Sequence, residues 1–109
     1  MFKIVQNPEF THTVPVMVPV DGGHVEQSLK CRFRVLPADE IDSHDLATPA
    51  GTEAYLRAIC VRFEDVCGDD GQPIPPSDAL TDQLLGITFV RIALVRAYTE
   101  AMAKAKRGN

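Results

Sequence analysis

Tryptophan is absent from the chain, its aromatics stop at five Phe and two Tyr, and cysteine is limited to Cys31, Cys60 and Cys67. An odd, sparse set of cysteines gives no disulfide framework and suits a reducing compartment. There is no C-x-x-C pair, and His12, His24 and His44 are scattered, so the paired-ligand spacing of structural zinc is missing. No apolar run approaches the roughly 18–20 residues that span a bilayer. Met1–Pro8 also lacks the long apolar stretch of a signal peptide, and a cytoplasmic location is expected. Positive charge is in short supply. Eleven Lys and Arg stand against fifteen Asp and Glu, for a net charge of −4, which argues against nucleic acid as the main partner.

Chemistry is as sparse as charge. Gly22-Gly23 and Gly68…Gly71 match neither a phosphate-cradling loop nor a dinucleotide fingerprint, because both of those follow a strand and open a helix. A calcium loop counted from Asp65 has Cys67 at its third position, Asp70 where glycine is needed, and Pro76 where the bidentate glutamate belongs. Cys60 and Cys67, seven apart on one helical face, read as core packing. The expectation is a non-enzymatic protein with no metal, no cofactor, no small-molecule substrate and no membrane contact.

What the sequence does hold is a globular chain, with 45% hydrophobic and 24% charged residues over 109 positions, the size of one domain. Its charge is segregated. Residues 1–38 carry four basic and three acidic groups; residues 39–82 carry eleven acidic groups against Arg57 and Arg62. Residues 83–109 carry five basic groups against Glu100. An acidic middle thus lies before a basic tail that includes Lys104, Lys106 and Arg107, an asymmetry that suits partners or self-association.

Period-two alternation marks the first third. Val14, Val16, Val18 and Val20 alternate with Pro15, Met17 and Pro19, and Val25, Leu29, Cys31, Phe33 and Val35 alternate with polar residues. Asp21-Gly22-Gly23-His24 between them supplies the positive φ of a tight hairpin. Pro15 and Pro19 cannot donate to a ladder, so the first strand should be an edge. Phe2–Val5 is a candidate third strand.

After Leu36-Pro37 the period turns helical. A helix should start at Pro37 with its acids, and a second at about Thr52 carrying the stripe Leu56, Ile59, Cys60, Phe63, Val66 and Cys67. Ser77 caps a short third helix ended by Gly86, and Thr88 caps a fourth running to about Lys104. The fourth has one stripe of Val90, Leu94, Ala97, Tyr98, Ala101 and Met102 and a second of Phe89, Ile92 and Val95. So wide an apolar arc belongs to a central helix or to an interface. The expected fold is α+β: an N-terminal antiparallel β-hairpin or small sheet of two to three strands, followed by about four α-helices. All of it forms a single domain, with the hairpin in residues 1–36 and the helices in 37–109.

Several local patterns join into a family likeness. They are Phe10-Thr11-His12-Thr13-Val14-Pro15-Val16, Pro19-Val20-Asp21-Gly22, Phe33-Arg34-Val35-Leu36, Tyr55-Leu56, Asp70-Gly71-Gln72-Pro73-Ile74-Pro75, Ala97-Tyr98 and the closing Arg107-Gly108-Asn109. In this order the chain resembles the tail assembly chaperones of long-tailed bacteriophages and their prophage relatives. The resemblance implies a non-enzymatic protein that binds the long helical tape-measure protein before the tail-tube protein polymerises around it, with contacts to both and to other copies of itself. Strand addition at an edge, or an amphipathic helix laid in a groove, are the two physical modes available. The contact residues expected are Val16 and Val18 on the edge, with Phe63, Val90, Leu94 and Tyr98, each of which also reads as core. The alternatives are another small acidic chaperone or adaptor of the secretion-chaperone kind, and a small enzyme using Cys60 or Cys67 with His44.

Overall fold

The computed structural model describes residues 1–103. The fold is α+β, with a three-stranded antiparallel sheet followed by helices. Strands β1 (Glu9–Val20) and β2 (Gly23–Arg34) form the hairpin, and helices α1 (Ala38–Asp42) and α2 (Pro49–Ile59) follow. Next come β3 (Cys60–Glu64) and a two-stranded ribbon of β4 (Val66–Cys67) and β5 (Pro73–Ile74). Helices α3 (Asp78–Leu85) and α4 (Thr88–Ala103) close the described chain. The expected helix end at Lys104, the basic residues beyond it and the closing Arg107-Gly108-Asn109 lie outside the described residues.

The hairpin is as its alternation predicts, and longer. Val20 pairs with Gly23 across Asp21-Gly22, and Gly22 sits at φ +80, a region that a residue with a Cβ rarely enters. In the order β1-β2-β3 the first strand is indeed an edge. Both prolines share the period of Thr11, Thr13 and Met17. A proline tolerated in a ladder turns its nitrogen away from the partner strand, so this whole set of backbone groups faces outward from β2. Pro15 and Pro19 therefore delete alternate donors from the free edge, and continuous strand addition along it is blocked.

Two expectations about the sheet need correction. Phe2–Val5 forms no strand; the third strand is Cys60–Glu64, which the helical spacing of Cys60, Phe63 and Cys67 had assigned to a helix. The cause is a β-bulge. Phe63 pairs with Cys31 and Cys60 with Phe33, leaving Val61 as an extra residue that turns Cys60 and Phe63, three apart, to the same face. A bulge thereby imitates the i, i+3 signature of a helix. In consequence Cys60 and Cys67 share no helical face: Cys60 is buried and Cys67 is exposed.

Helix starts also shift. Thr48, not Thr52, caps α2, its hydroxyl accepting from the Gly51 amide at 3.0 Å, with Pro49 in the first turn where its missing N–H costs nothing. Gly51 lies against the Asp45 carbonyl, where a Cβ would collide with backbone, so the loop before α2 closes tightly on its first turn. Ser77 caps α3 as expected, accepting from the Leu80 amide at 3.0 Å, and Gly86 ends it. Thr88 is the first helical residue of α4, and the Ile87 carbonyl before it accepts from the Val90 and Arg91 amides.

One face of the sheet packs on the helices, α4 running against β1. Val14, Cys31, Phe33, Leu56, Ile59, Phe63, Leu94 and Tyr98 are the centre of the core, each large apolar side chain contributing about 1.5–3 kcal/mol by its removal from water. Tyr98 is the hub. Its ring lies 5.5 Å from Phe33, 6.0 Å from Tyr55 and 6.3 Å from Phe10. Its hydroxyl donates to the Arg34 carbonyl at 3.0 Å and accepts from the Leu36 amide at 3.1 Å, fastening α4 to the end of β2. Phe10, Phe33, Tyr55 and Tyr98 come from four of the separate patterns that carry the family likeness, and here they form one aromatic cluster.

The opposite face of the sheet meets solvent. Arg32 pairs with Glu9 at 3.2 Å, Arg62 with Glu64 at 2.8 Å, and Lys30 with Asp65 at 3.6 Å. These ion pairs satisfy the cations without building a charged patch. No helix among the described residues is long and apolar enough to cross a membrane.

Candidate functional site

Strand β3 ends after four pairings with β2, at Lys30 to Phe33, so from Leu29 outward the hairpin continues as two strands alone. Residues Gly23–Ser28 of β2 are all exposed, as are Met17, Pro19 and Val20 of β1. The hairpin therefore overhangs the body of the protein. Its inward rungs leave the core at Val14 opposite Leu29 and Val16 opposite Gln27, and one apolar rung, Val18 opposite Val25, lies beyond it. Val20 and Val25 remain about half exposed, at 47% and 49%.

Beneath this overhang is an apolar cleft of about 330 Å³. Val16, Val18 and Leu29 form its roof, and Ile87, Phe89 and Val90, from the α3–α4 junction, form its floor. The local sequence explains both surfaces. Alternation aims the even residues of β1 inward. Below, Gly86 ends α3, and Ile87 bridges at once into α4, so apolar side chains crowd a turn that is ordinarily polar. Asp65 closes one side at φ +56, a left-handed conformation that redirects the chain from β3 into β4 and sets Val66 against the cleft. Cys67 and Gln27 complete the rim.

Of the six residues expected to contact a partner, the fold brings Val16, Val18 and Val90 together in this cleft. Val16 and Val90 are buried at 4% exposure and form its walls, while Val18 is half-buried. Phe63, Leu94 and Tyr98 are at most 1% exposed and hold the core. A partner reaching the cleft touches the first three and is supported only indirectly by the others. Ile87 is absent from the sequence expectations, and Val66 stands there on a helical stripe where the fold has strand β4. Their only signal is an apolar residue immediately after a helix-ending glycine, and a valine just past an acidic strand end.

The contact with Cys60 and burial push the Cys31 thiol far above the usual range, so it stays protonated. His44 lies edge-on to Tyr55, with ring centroids 5.7 Å apart, and burial raises the Tyr55 phenol. Glu53 takes hydrogen bonds from Arg57 and Arg91 that hold its carboxyl below the usual range, and Arg57 also pairs with Asp82 at 2.8 Å, tying α2 to α3. Among the described residues, no group of three His, Cys, Asp or Glu side chains is placed to hold a metal ion. No family model matches the chain, and no curated protein and no solved structure matches it.

Proposed function

We propose that the protein is a non-enzymatic assembly chaperone of the phage-tail kind, which holds a helical segment of the tape-measure protein before the tail-tube protein assembles around it. The observation that carries this reading is the overhanging hairpin, whose Val16, Val18 and Leu29 roof an apolar cleft at the edge of the core. An amphipathic client helix has the apolar stripe such a cleft takes, and seating it there covers the half-buried Val18. Of the two modes open to the sequence, the groove is favoured over strand addition, because Pro15 and Pro19 interrupt the donors of the free edge. The acidic middle segment is the second support. Its charge keeps a loaded complex soluble and attracts basic stretches of a client at long range. The family likeness supports the client's identity, and four aromatics from its patterns, Phe10, Phe33, Tyr55 and Tyr98, meet in one cluster.

Co-expression with a tape-measure fragment tests this. A soluble complex that co-elutes is expected. A fragment that stays insoluble, with the present chain eluting alone, overturns the reading. Genes beside this one offer a check without protein chemistry: a very long helical reading frame immediately downstream agrees, and secretion genes there favour the adaptor alternative.

A further inference from the structure

In the overhang, strand β2 has two edges and a neighbour on only one of them. On one side β1 pairs with it down to the turn; on the other β3 stops at Lys30. Asp65, at φ +56, turns the chain out of line after Glu64, and Val66 and Cys67 pair with β5 instead. Which backbone groups this leaves free follows from the prolines. Pro15 and Pro19 stand opposite Ser28 and His24, with Met17 opposite Glu26 between them. These are non-hydrogen-bonded pairs of the hairpin, in which both residues turn their N–H and C=O away from each other. Lys30 and Arg32 share that period and direct theirs to Glu64 and Arg62 of β3. His24, Glu26 and Ser28 continue the same row with no strand to receive it, and Gly23–Ser28 are all exposed. The two outer edges of the hairpin are therefore unlike: prolines break that of β1, and β2 has none from Gly23 to Arg34. Glu26, in the middle of the open row, has no ion-pair partner among the described residues, whereas Lys30 is met by Glu64 at 3.9 Å and Asp65 at 3.6 Å.

We infer that this edge of β2 takes an extended segment of a partner protein as an added strand, end to end with β3, and that the segment reads apolar–basic–apolar. Its backbone meets the open row at His24, Glu26 and Ser28 and makes three strands of a two-stranded ribbon that is marginal alone. Alternation fixes its side chains. The residue opposite Glu26 shares the solvent face with it at a Cβ separation of about 5 Å, which suits Lys or Arg. The residues on either side of that one point to the inner face, where Val25 is 49% exposed and an apolar side chain covers it. A second copy of the chain is a poor occupant, because the two-fold register that uses the whole row sets Glu26 directly opposite Glu26. The added strand is independent of the cleft, whose occupant is a helix, and of the tape-measure reading.

NMR titration of the full chain tests the inference, with a blocked peptide of lysine flanked on each side by valine and then threonine. The backbone amides of His24, Glu26 and Ser28 should shift most and gain protection from exchange, while those of Val25 and Gln27, which face β1, change little. The same peptide with a central glutamate should bind about fivefold more weakly. Glu26→Lys should reverse that preference, which a merely damaged hairpin cannot do. Glu26→Pro removes the central donor on the side away from β1, and should raise the dissociation constant about tenfold beyond Glu26→Gln with the Val25 and Gln27 amides still bonded to β1. Shifts confined to Val16, Val18 and Val90 at the cleft, equal binding of the two peptides, or a Glu26→Pro protein that binds as Glu26→Gln does would each overturn it. So would His24–Ser28 amides that move with protein concentration alone, which would give the edge to a second copy.

Discussion

The two halves of the hairpin follow the same alternation and meet different surroundings. From Glu9 to Val16 and from Leu29 to Arg34, the inward side chains face the helices, α4 running against β1, and Lys30–Phe33 gain a third strand. From Met17 to Ser28 the same alternation continues without the third strand, and only Val18 reaches the start of α4, across the cleft. Alternation thus specifies strand and face, while burial depends on what the rest of the chain places opposite. A two-stranded ribbon is marginal in water by itself, so the overhang depends on its rooted half, on valine-rich cross-strand pairs such as Val18–Val25, and on whatever covers the cleft.

The contrast can be broken most severely from its rooted side. Leu94, fully buried opposite the sheet, should lose about 2–5 kcal/mol of stability as Leu94→Ala, read from urea unfolding. Next is Tyr98→Phe. It leaves the Arg34 carbonyl and the Leu36 amide without their partner, for a loss of about 1–3 kcal/mol with the ring packing retained. On the overhang, Val25→Thr keeps a β-branched side chain at an exposed position and should change stability by no more than about 0.5 kcal/mol. Thiol labelling sharpens the contrast in another way. Cys67 on the cleft rim should alkylate in the folded protein, with Cys31 and Cys60 protected until denaturant is added, as mass spectrometry of the labelled protein would report.

The smallest effect is electrostatic. Arg57 and Arg91 lower the folded-state Glu53 pKa below its unfolded value, so the group's contribution is complete above the unfolded value and is lost as pH falls through the folded one. Glu53→Gln should therefore flatten the pH dependence of stability below about pH 4–5 and leave it unchanged near neutrality. An identical acid limb in both proteins would remove Glu53 from the account.

Much of this organisation was legible in the sequence. The hairpin and its edge follow from period two, Gly22 and two prolines; α3 follows from Ser77 and Gly86; and the broad arc of α4 follows from its two apolar stripes. What misled was chemistry shared by two structures. The bulge at Val61 gave Cys60 and Phe63 a helical spacing inside a strand, and the helix expected from about Thr52 starts earlier, with Thr48 as its cap and Pro49 in its first turn. The cleft was half visible. Val16, Val18 and Val90 are apolar candidates in the sequence, but only the fold shows that β1 and the α3–α4 junction face one another, because no local pattern encodes a contact between segments some seventy residues apart.

The central claim is that the overhang and its cleft hold the client while the rooted half only holds the fold. Val18→Asp separates the two, because Val18 is half-buried at the cleft while Leu94 and Tyr98 carry the core. Val18→Asp should melt close to the wild type and fail to keep a co-expressed tape-measure fragment soluble. A Val18→Asp protein that is folded and still recovers the fragment as fully as the wild type would contradict the account.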